Sequence, residues 1–350
     1  GDAEVYVAVH NASSQSVHVG AELRHDSGAI SLGTITLGPN QSRVVVAEAP
    51  ARDGNGPRFG SIGLTHDAPG STLYTTGWLA MKSTGYSNTM ITDDPMRHSG
   101  TKLYGTQVFF GKAGVLQREV DSHLLLHNET NAPITANLQL SYGDPGSTVT
   151  SSLGMKELAA HETIDVPLIN VPRETAPGAI AVSYEGPESA LMGRIYGVAK
   201  NHILGFYSAL ETAPVASIAE LYWTNAGDAE SMLTVTNFGS EQDNITVVLT
   251  HLKGTIELPS IALGPMESSA IDVRELANRG LLPDGVDFGG WRIFGQSMSK
   301  SRILVKEHVI SENSGTSVPF YGVPVYATTC EVCLDGCDHN FLALAPGEVD

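Results

Sequence analysis

Three thiols and an imidazole crowd into ten residues near the end of the sequence, at Cys330, Cys333, Cys337 and His339. Two chemistries fit that spacing. In an oxidising compartment two of the thiols close a tight disulfide, and the odd one stays free or bridges to another chain. Alternatively the four side chains converge as a tetrahedral Cys3His metal site, usually for zinc, with the thiols deprotonated. Haem attachment is excluded, because Leu334 follows the second cysteine where Cys-x-x-Cys-His requires its axial histidine.

Elsewhere the residue types that do chemistry are scattered. Gly54-Asn55-Gly56-Pro57-Arg58-Phe59-Gly60 has the glycines of a dinucleotide loop, but Pro57 and the lack of a following helix remove the amides that would hold phosphate. His161-Glu162 opens like a zinc-protease helix and lacks the second histidine four residues on. The sequence holds no Gly-x-Ser-x-Gly elbow, P-loop or EF-hand loop, so no catalytic residues are assigned and an enzyme is not expected. Asp93-Asp94 and the general acidity offer oxygen ligands for calcium between domains. Asn11, Asn40, Asn128 and Asn244 begin Asn-x-Ser/Thr sequons at turns, where a glycan would sit exposed. Trp78, Trp223 and Trp291 fall inside strand patterns, so core packing is their default and a carbohydrate groove the alternative.

The elements behind these residues are strands, and they repeat. Leu32-Gly33-Thr34-Ile35-Thr36-Leu37-Gly38-Pro39-Asn40-Gln41-Ser42 returns as Leu153 to Thr163 and again as Leu258 to Ser268. About twenty residues upstream, each copy has an alternating apolar run ending in asparagine, at Asn11, Asn128 and Asn237. The strands that flank each asparagine, and those that flank each Gly-Pro-type turn, are expected to form hairpins with one buried face. Downstream, Gly60-Ser61-Ile62, Gly178-Ala179-Ile180 and Gly289-Gly290-Trp291 begin a third recurring strand. Only Val273 to Leu281 has a helical period, which excludes a TIM barrel or a doubly wound sheet.

Composition agrees. With 350 residues, 37 Gly and 18 Pro, the chain suits three turn-rich domains. Its net charge of −18 makes nucleic acid and anionic membrane surfaces poor partners, and no apolar run is long enough to cross a bilayer. The expected layout is all-β: three tandem antiparallel β-sandwich domains at 1–97, 98–214 and 215–322, followed by a short Cys-containing C-terminal tail at 323–350. Beginning at Gly1 instead of Met fits a mature chain after leader removal and equally a fragment of a longer chain.

The ends are offset. Gly1-Asp2-Ala3-Glu4 returns as Gly227-Asp228-Ala229-Glu230, directly before the matching strand of the third repeat, so the chain starts mid-repeat. Repeats two and three carry an earlier strand, at Leu103 to Val108 and Ile218 to Trp223, for which repeat one has no counterpart. A similar segment trails the third repeat at 323–328, with Val323, Val325, Tyr326 and Ala327 as its apolar residues. A sandwich short of one strand exposes an edge that another chain can fill. Donation of segment 323–328 to the first domain of the next copy would build a head-to-tail filament.

The three repeats and their Leu-Gly-Pro-x-Gln/Glu-Ser/Thr turns resemble the tandem immunoglobulin-like modules of bacterial surface and fibre proteins. The resemblance covers nearly the whole chain. It implies an extracellular or cell-surface structural role, with copies of the chain itself as partners and other surface proteins or glycans as further ones. A monomeric adhesin or carbohydrate-binding rod is the alternative, and a metal-binding or redox role of the Cys-rich tail the second.

Overall fold

A computed structural model describes residues 3–25, 28–47, 60–68, 72–81, 86–91, 100–112, 119–168, 177–199, 202–212, 218–296, 302–311, 316–321 and 323–324. Almost all of them lie in strands. The first third contributes Ala3–Asn11 (β1), Val17–His25 (β2), Gly28–Leu37 (β3), Ser42–Ala47 (β4), Gly60–His66 (β5), Leu73–Met81 (β6) and Tyr86–Ile91 (β7). The middle contributes Lys102–Val108 (β8), Phe110–Lys112 (β9), Glu119–Asn128 (β10), Ile134–Tyr142 (β11), Val149–Leu158 (β12), Thr163–Pro167 (β13), Gly178–Glu185 (β14), Leu191–Ala199 (β15) and His202–Ala209 (β16). The last contributes Ile218–Thr224 (β17), Ala229–Asn237 (β18), Asp243–His251 (β19), Gly254–Glu257 (β20), Ile261–Leu263 (β21), Ser268–Asp272 (β22), the helix Val273–Asn278 (α1), Phe288–Gly295 (β23), Ile303–Ser311 (β24), Thr316–Tyr321 (β25) and Val323–Pro324 (β26).

Period-two alternation buries one face of most strands, and the buried faces meet across two sheets, while β18 is buried on both faces. In the middle third the order β13-β10-β15-β16 faces β12-β11-β14-β8. Leu124 and Leu126 of β10 pack there with Leu138 and Leu140 of β11 and Ile180 of β14. The first third has β4-β1-β6-β7 and β3-β2-β5, and closes Val7, Val9 and Val45 over Val17, Val19 and Leu37. In the last third Leu233 and Val235 close over Val247, Leu249 and Trp291. The sheet holding β22-β18-β24-β25 continues into β7 through one parallel pair, Ser317 and Asn88, giving eight strands in all. β16 lies against both β7 and β25.

The hairpins expected around each asparagine and each Gly-Pro-type turn are not hairpins. β1 pairs with β4 and β6, whereas β2 pairs with β3 and β5, so the chain crosses from one sheet to the other at both turns. The same holds for β10 against β11 and β12 against β13. The edges also differ from the constant-type immunoglobulin arrangement, in which the first strand joins the second and the seventh joins the C–F sheet. Here β8 pairs with β14, and β15 pairs with β10.

The recurring asparagine ties the two crossings together. The Asn128 amide Nδ2 donates to Ala132 O and Ala159 O at 2.8 Å, and its Oδ1 accepts from Thr130 N at 2.9 Å. Asn11 repeats this with Gln15 O, Gly38 O and Ser13 N, and Asn237 with Glu241 O, Leu263 O and Gly239 N. All three side chains are buried. The sequons at Asn11 and Asn128 are therefore not glycan sites in the folded chain, since their amide hydrogens are enclosed. Asn40 is exposed at its turn, and the half-exposed Asn244 bonds Gln296 Oε1.

The helical stretch expected at 273–281 forms over Val273–Asn278, capped by Asp272, whose carboxylate accepts from Arg274 N at 2.8 Å. Close packing of the last third hinges on Gly289. A Cβ there would fall 2.0 Å from Thr250 O and 2.7 Å from the Trp223 ring. Gly289→Ala is expected to cost about 3 kcal/mol in urea unfolding by forcing strand β23 off β19; a loss under about 1 kcal/mol would mean that the strands slide freely.

Candidate assembly site

The distinctive feature of the first third is a sheet edge that no other strand covers among the described residues. β14 pairs on its outer side with β8, and β23 with β17. The matching strand β5 pairs with β2 alone among the described residues. Register makes Ile62 and Leu64 of β5 the counterparts of Ile180 and Val182, because each stands opposite the same pair of core positions on the neighbouring strand. Ile180 and Val182 are fully enclosed, as are Trp291 and Ile293 in the last third. Ile62 and Leu64 stay half-buried at the border of a smaller core. β8 fits closely at its edge: a Cβ on Gly105 would strike Leu210 Cδ2 at 2.3 Å and Ile195 Cδ1 at 2.7 Å.

The thirds meet through a repeated pair of faces. Where the first joins the middle, Arg24 of β2 reaches Glu129 Oε2 at 2.8 Å, and Ser61 of β5 lies 3.3 Å from His127 Nε2. Where the middle joins the last, Thr106 of β8 meets Thr236 across 2.5 Å, Tyr104 packs on Phe238, and Gly146 N donates to Glu267 Oε1. His127 and Thr236 are corresponding residues, each just before its asparagine. Each is held by the hydroxyl opposite it, His127 by Thr163 and Thr236 by Ser268, at 2.8 and 2.7 Å. Burial holds the His127 imidazole below its usual pKa, with the neighbouring Glu129 opposing and Arg24 assisting.

Of the residues singled out in the sequence, Val323 and Pro324 are placed on the last third's own sheet, paired with Glu220 and Ala219 of β17. That pairing matches the bridge between Tyr104 and Glu211 in the middle third. Val325, Tyr326, Ala327, Cys330, Cys333, Cys337 and His339 lie outside the described residues, as do Asp93 and Asp94. Among the described residues no group of three or more His, Cys, Asp or Glu side chains gathers as metal ligands. Trp223 and Trp291 are core residues, 6.4 Å apart between ring centres, which removes them from any carbohydrate groove. Trp78 stacks at 5.3 Å on Tyr6, on the outward face of β1 and β6.

A buried pair of titratable groups on β24 belongs to no sequence motif. Glu307 takes a core position, where burial lifts its carboxyl to about 8, a rise moderated by the nearby Ser231 hydroxyl and Trp291 indole. His308, on the opposite face, is fully enclosed, and burial together with Lys306 depresses its imidazole to about 3. The clue lay in the alternation itself, since Ile303 and Val305 set a core register that Glu307 continues.

No protein-family profile matches the chain, and no curated protein does. Among solved structures, protein 1070 of Thermotoga maritima aligns at 16% identity and a TM-score of 0.24, over 32% of this chain and 93% of that one. The PBSX exported protein XepA aligns at 13% and 0.20, over 63% and 88% of the two chains. A protein described as secreted from Parabacteroides distasonis aligns at 11% and 0.18, over 62% and 83%. No helix among the described residues is long and apolar enough to cross a membrane.

Proposed function

We propose that this chain is a structural subunit of an extracellular filament or cell-surface assembly, built from three tandem immunoglobulin-like sandwiches and joined head to tail with copies of itself. The observation that carries this reading is the edge of β5, unpaired among the described residues, above half-buried Ile62 and Leu64. An added strand there would supply both the backbone partners and the missing core layer, as β8 and β17 do in their own sandwiches. The donor is the C-terminal segment of the next copy. Because Val323 and Pro324 already pair with β17, the donated stretch begins after Pro324 and includes Val325, Tyr326 and Ala327.

The test compares the full chain with a protein ending at Pro324, by electron microscopy of negatively stained material. Filaments are expected from the first and not from the second. A synthetic peptide of residues 325–340 should bind the shortened protein and raise its melting temperature by several degrees, as ligand linkage requires. Filaments of unchanged length without residues 325–350 would overturn strand donation.

A further inference from the structure

The two internal junctions leave one matching half unused at each end of the chain. Each junction sets the outward face of one sandwich's β2-type sheet against the outward face of the next sandwich's β1-type sheet. The positions correspond: Thr106 of β8, which meets Thr236, stands where Tyr222 stands on β17, and the turn of Gly146 corresponds to the turn of Leu252. On the receiving side, His127 and Thr236 correspond to His10, Glu129 and Phe238 to Ala12, and Glu267 to Gln41. The His10 imidazole even repeats the hydroxyl contact, 2.8 Å from Ser42 Oγ. In the first and last thirds, however, the first and third sandwiches touch along β7 and β25.

The unused halves are apolar. Tyr222, Phe288 and Leu252 are 73%, 59% and 87% exposed on the last third, and Tyr74, beside His10, is 62% exposed on the first. The corresponding receiving face of the last third is enclosed at Met232, Thr234, Thr236, Leu304 and His308. Clustered large apolar side chains at the position of a junction already made twice mark a third junction.

We infer that the face of Tyr222, Phe288 and Leu252 docks on the face of His10, Ala12 and Tyr74 in a second copy of this chain, continuing the internal series from one molecule to the next. The contact is heterologous, its two halves being different surfaces of the chain, so it leaves one half free on each copy and propagates unless its rotation closes a ring. This rests on the self-assembly reading above, but not on strand donation, since neither face includes residues beyond Pro324.

The test uses sedimentation velocity over a wide concentration range, on the full chain and on the protein ending at Pro324. Tyr222→Glu with Leu252→Glu blocks one face, and Tyr74→Glu blocks the other. All three substitutions are at exposed positions, and unchanged far-ultraviolet circular dichroism and melting confirm folding. Each blocked protein is expected to associate roughly 30-fold more weakly, the loss of one interface hot spot. Mixing the two blocked proteins should restore dimers through their remaining intact faces, and nothing larger. The protein ending at Pro324 should keep the weaker, reversible association. If it is monomeric while the full chain polymerises, and the blocked full chains polymerise as the parent does, strand donation stands and face docking is overturned. A parent chain that remains monomeric at every concentration overturns both.

Discussion

Asn128→Ala is expected to lower the unfolding free energy by about 3 kcal/mol, the combined loss of several part-buried hydrogen bonds made by one fully buried side chain. The side chain does not merely shape its own turn. Its amide joins Ala132 O to Ala159 O, with Leu158 O a longer third contact at 3.3 Å, and its carbonyl takes both Thr130 N and the Thr130 hydroxyl. Alanine deletes the bridge between Ala132 O and Ala159 O, which keep only the Thr130 hydroxyl and Glu162 N as donors, and takes the acceptor from Thr130 N, at the point where both crossings between sheets must stay side by side. Asn128→Asp should be worse at neutral pH, because a carboxylate offers no donor to the carbonyl oxygens it would face. A control separates this from general loop damage: Asn131, whose exposed side chain reaches His161 Nε2 at 2.8 Å, should tolerate alanine within about 0.5 kcal/mol. Urea titrations of the three variants check the order. A loss at Asn128 no larger than at Asn131 would show that the crossings are held by packing alone.

That tie explains which parts of the fold were legible in the sequence. Alternation at Leu124, Leu126 and Asn128, or at Ile134, Ala136 and Leu138, places strands and their buried faces, because burying one side of a pleated chain demands it. The asparagine's bond to the residue two positions on is local turn chemistry and can be read from its type. Its bonds to Leu158 and Ala159 are not, for they join residues about thirty positions apart whose proximity only the fold creates. For the same reason a hairpin and a crossing between sheets look alike in sequence: both join two half-buried strands through a turn. The outer side of β5, unpaired among the described residues, stands where β14 and β23 pair with Leu103 to Val108 and Ile218 to Trp223, segments that their own alternation marks as strands. Docking faces were hidden, because alternation at Tyr222 and Trp223 says that one points inward and nothing about what covers the other. Trp223 is enclosed and Tyr222 is bare.

Glu307 and His308 together predict a stability profile with a flat middle. Glu307 holds its proton in the folded chain up to about pH 8, while the unfolded chain releases it near its ordinary value of 4.5. Between those values the folded form carries the extra proton, so stability falls as pH rises through that window. His308 does the reverse. It stays neutral in the fold down to about pH 3, whereas the unfolded chain takes up a proton near 6.5, so stability rises with pH from about 3 to 6.5. From about pH 4.5 to 6.5 the two slopes oppose each other and nearly cancel. Above 6.5 Glu307 acts alone, and the chain should lose about 2 kcal/mol by pH 8, one and a half decades of unbalanced proton release. Glu307→Gln keeps the volume, removes the titration and should flatten that alkaline limb, leaving the variant more stable than the parent at pH 8. The acid limb is shared with other carboxylates of this acidic chain, so the alkaline side is the diagnostic one. Guanidinium unfolding of parent and variant at pH 6, 7 and 8 measures it. Parallel curves for the two would mean that the Glu307 carboxyl ionises in place, with water reaching the space between Ser231 and Trp291.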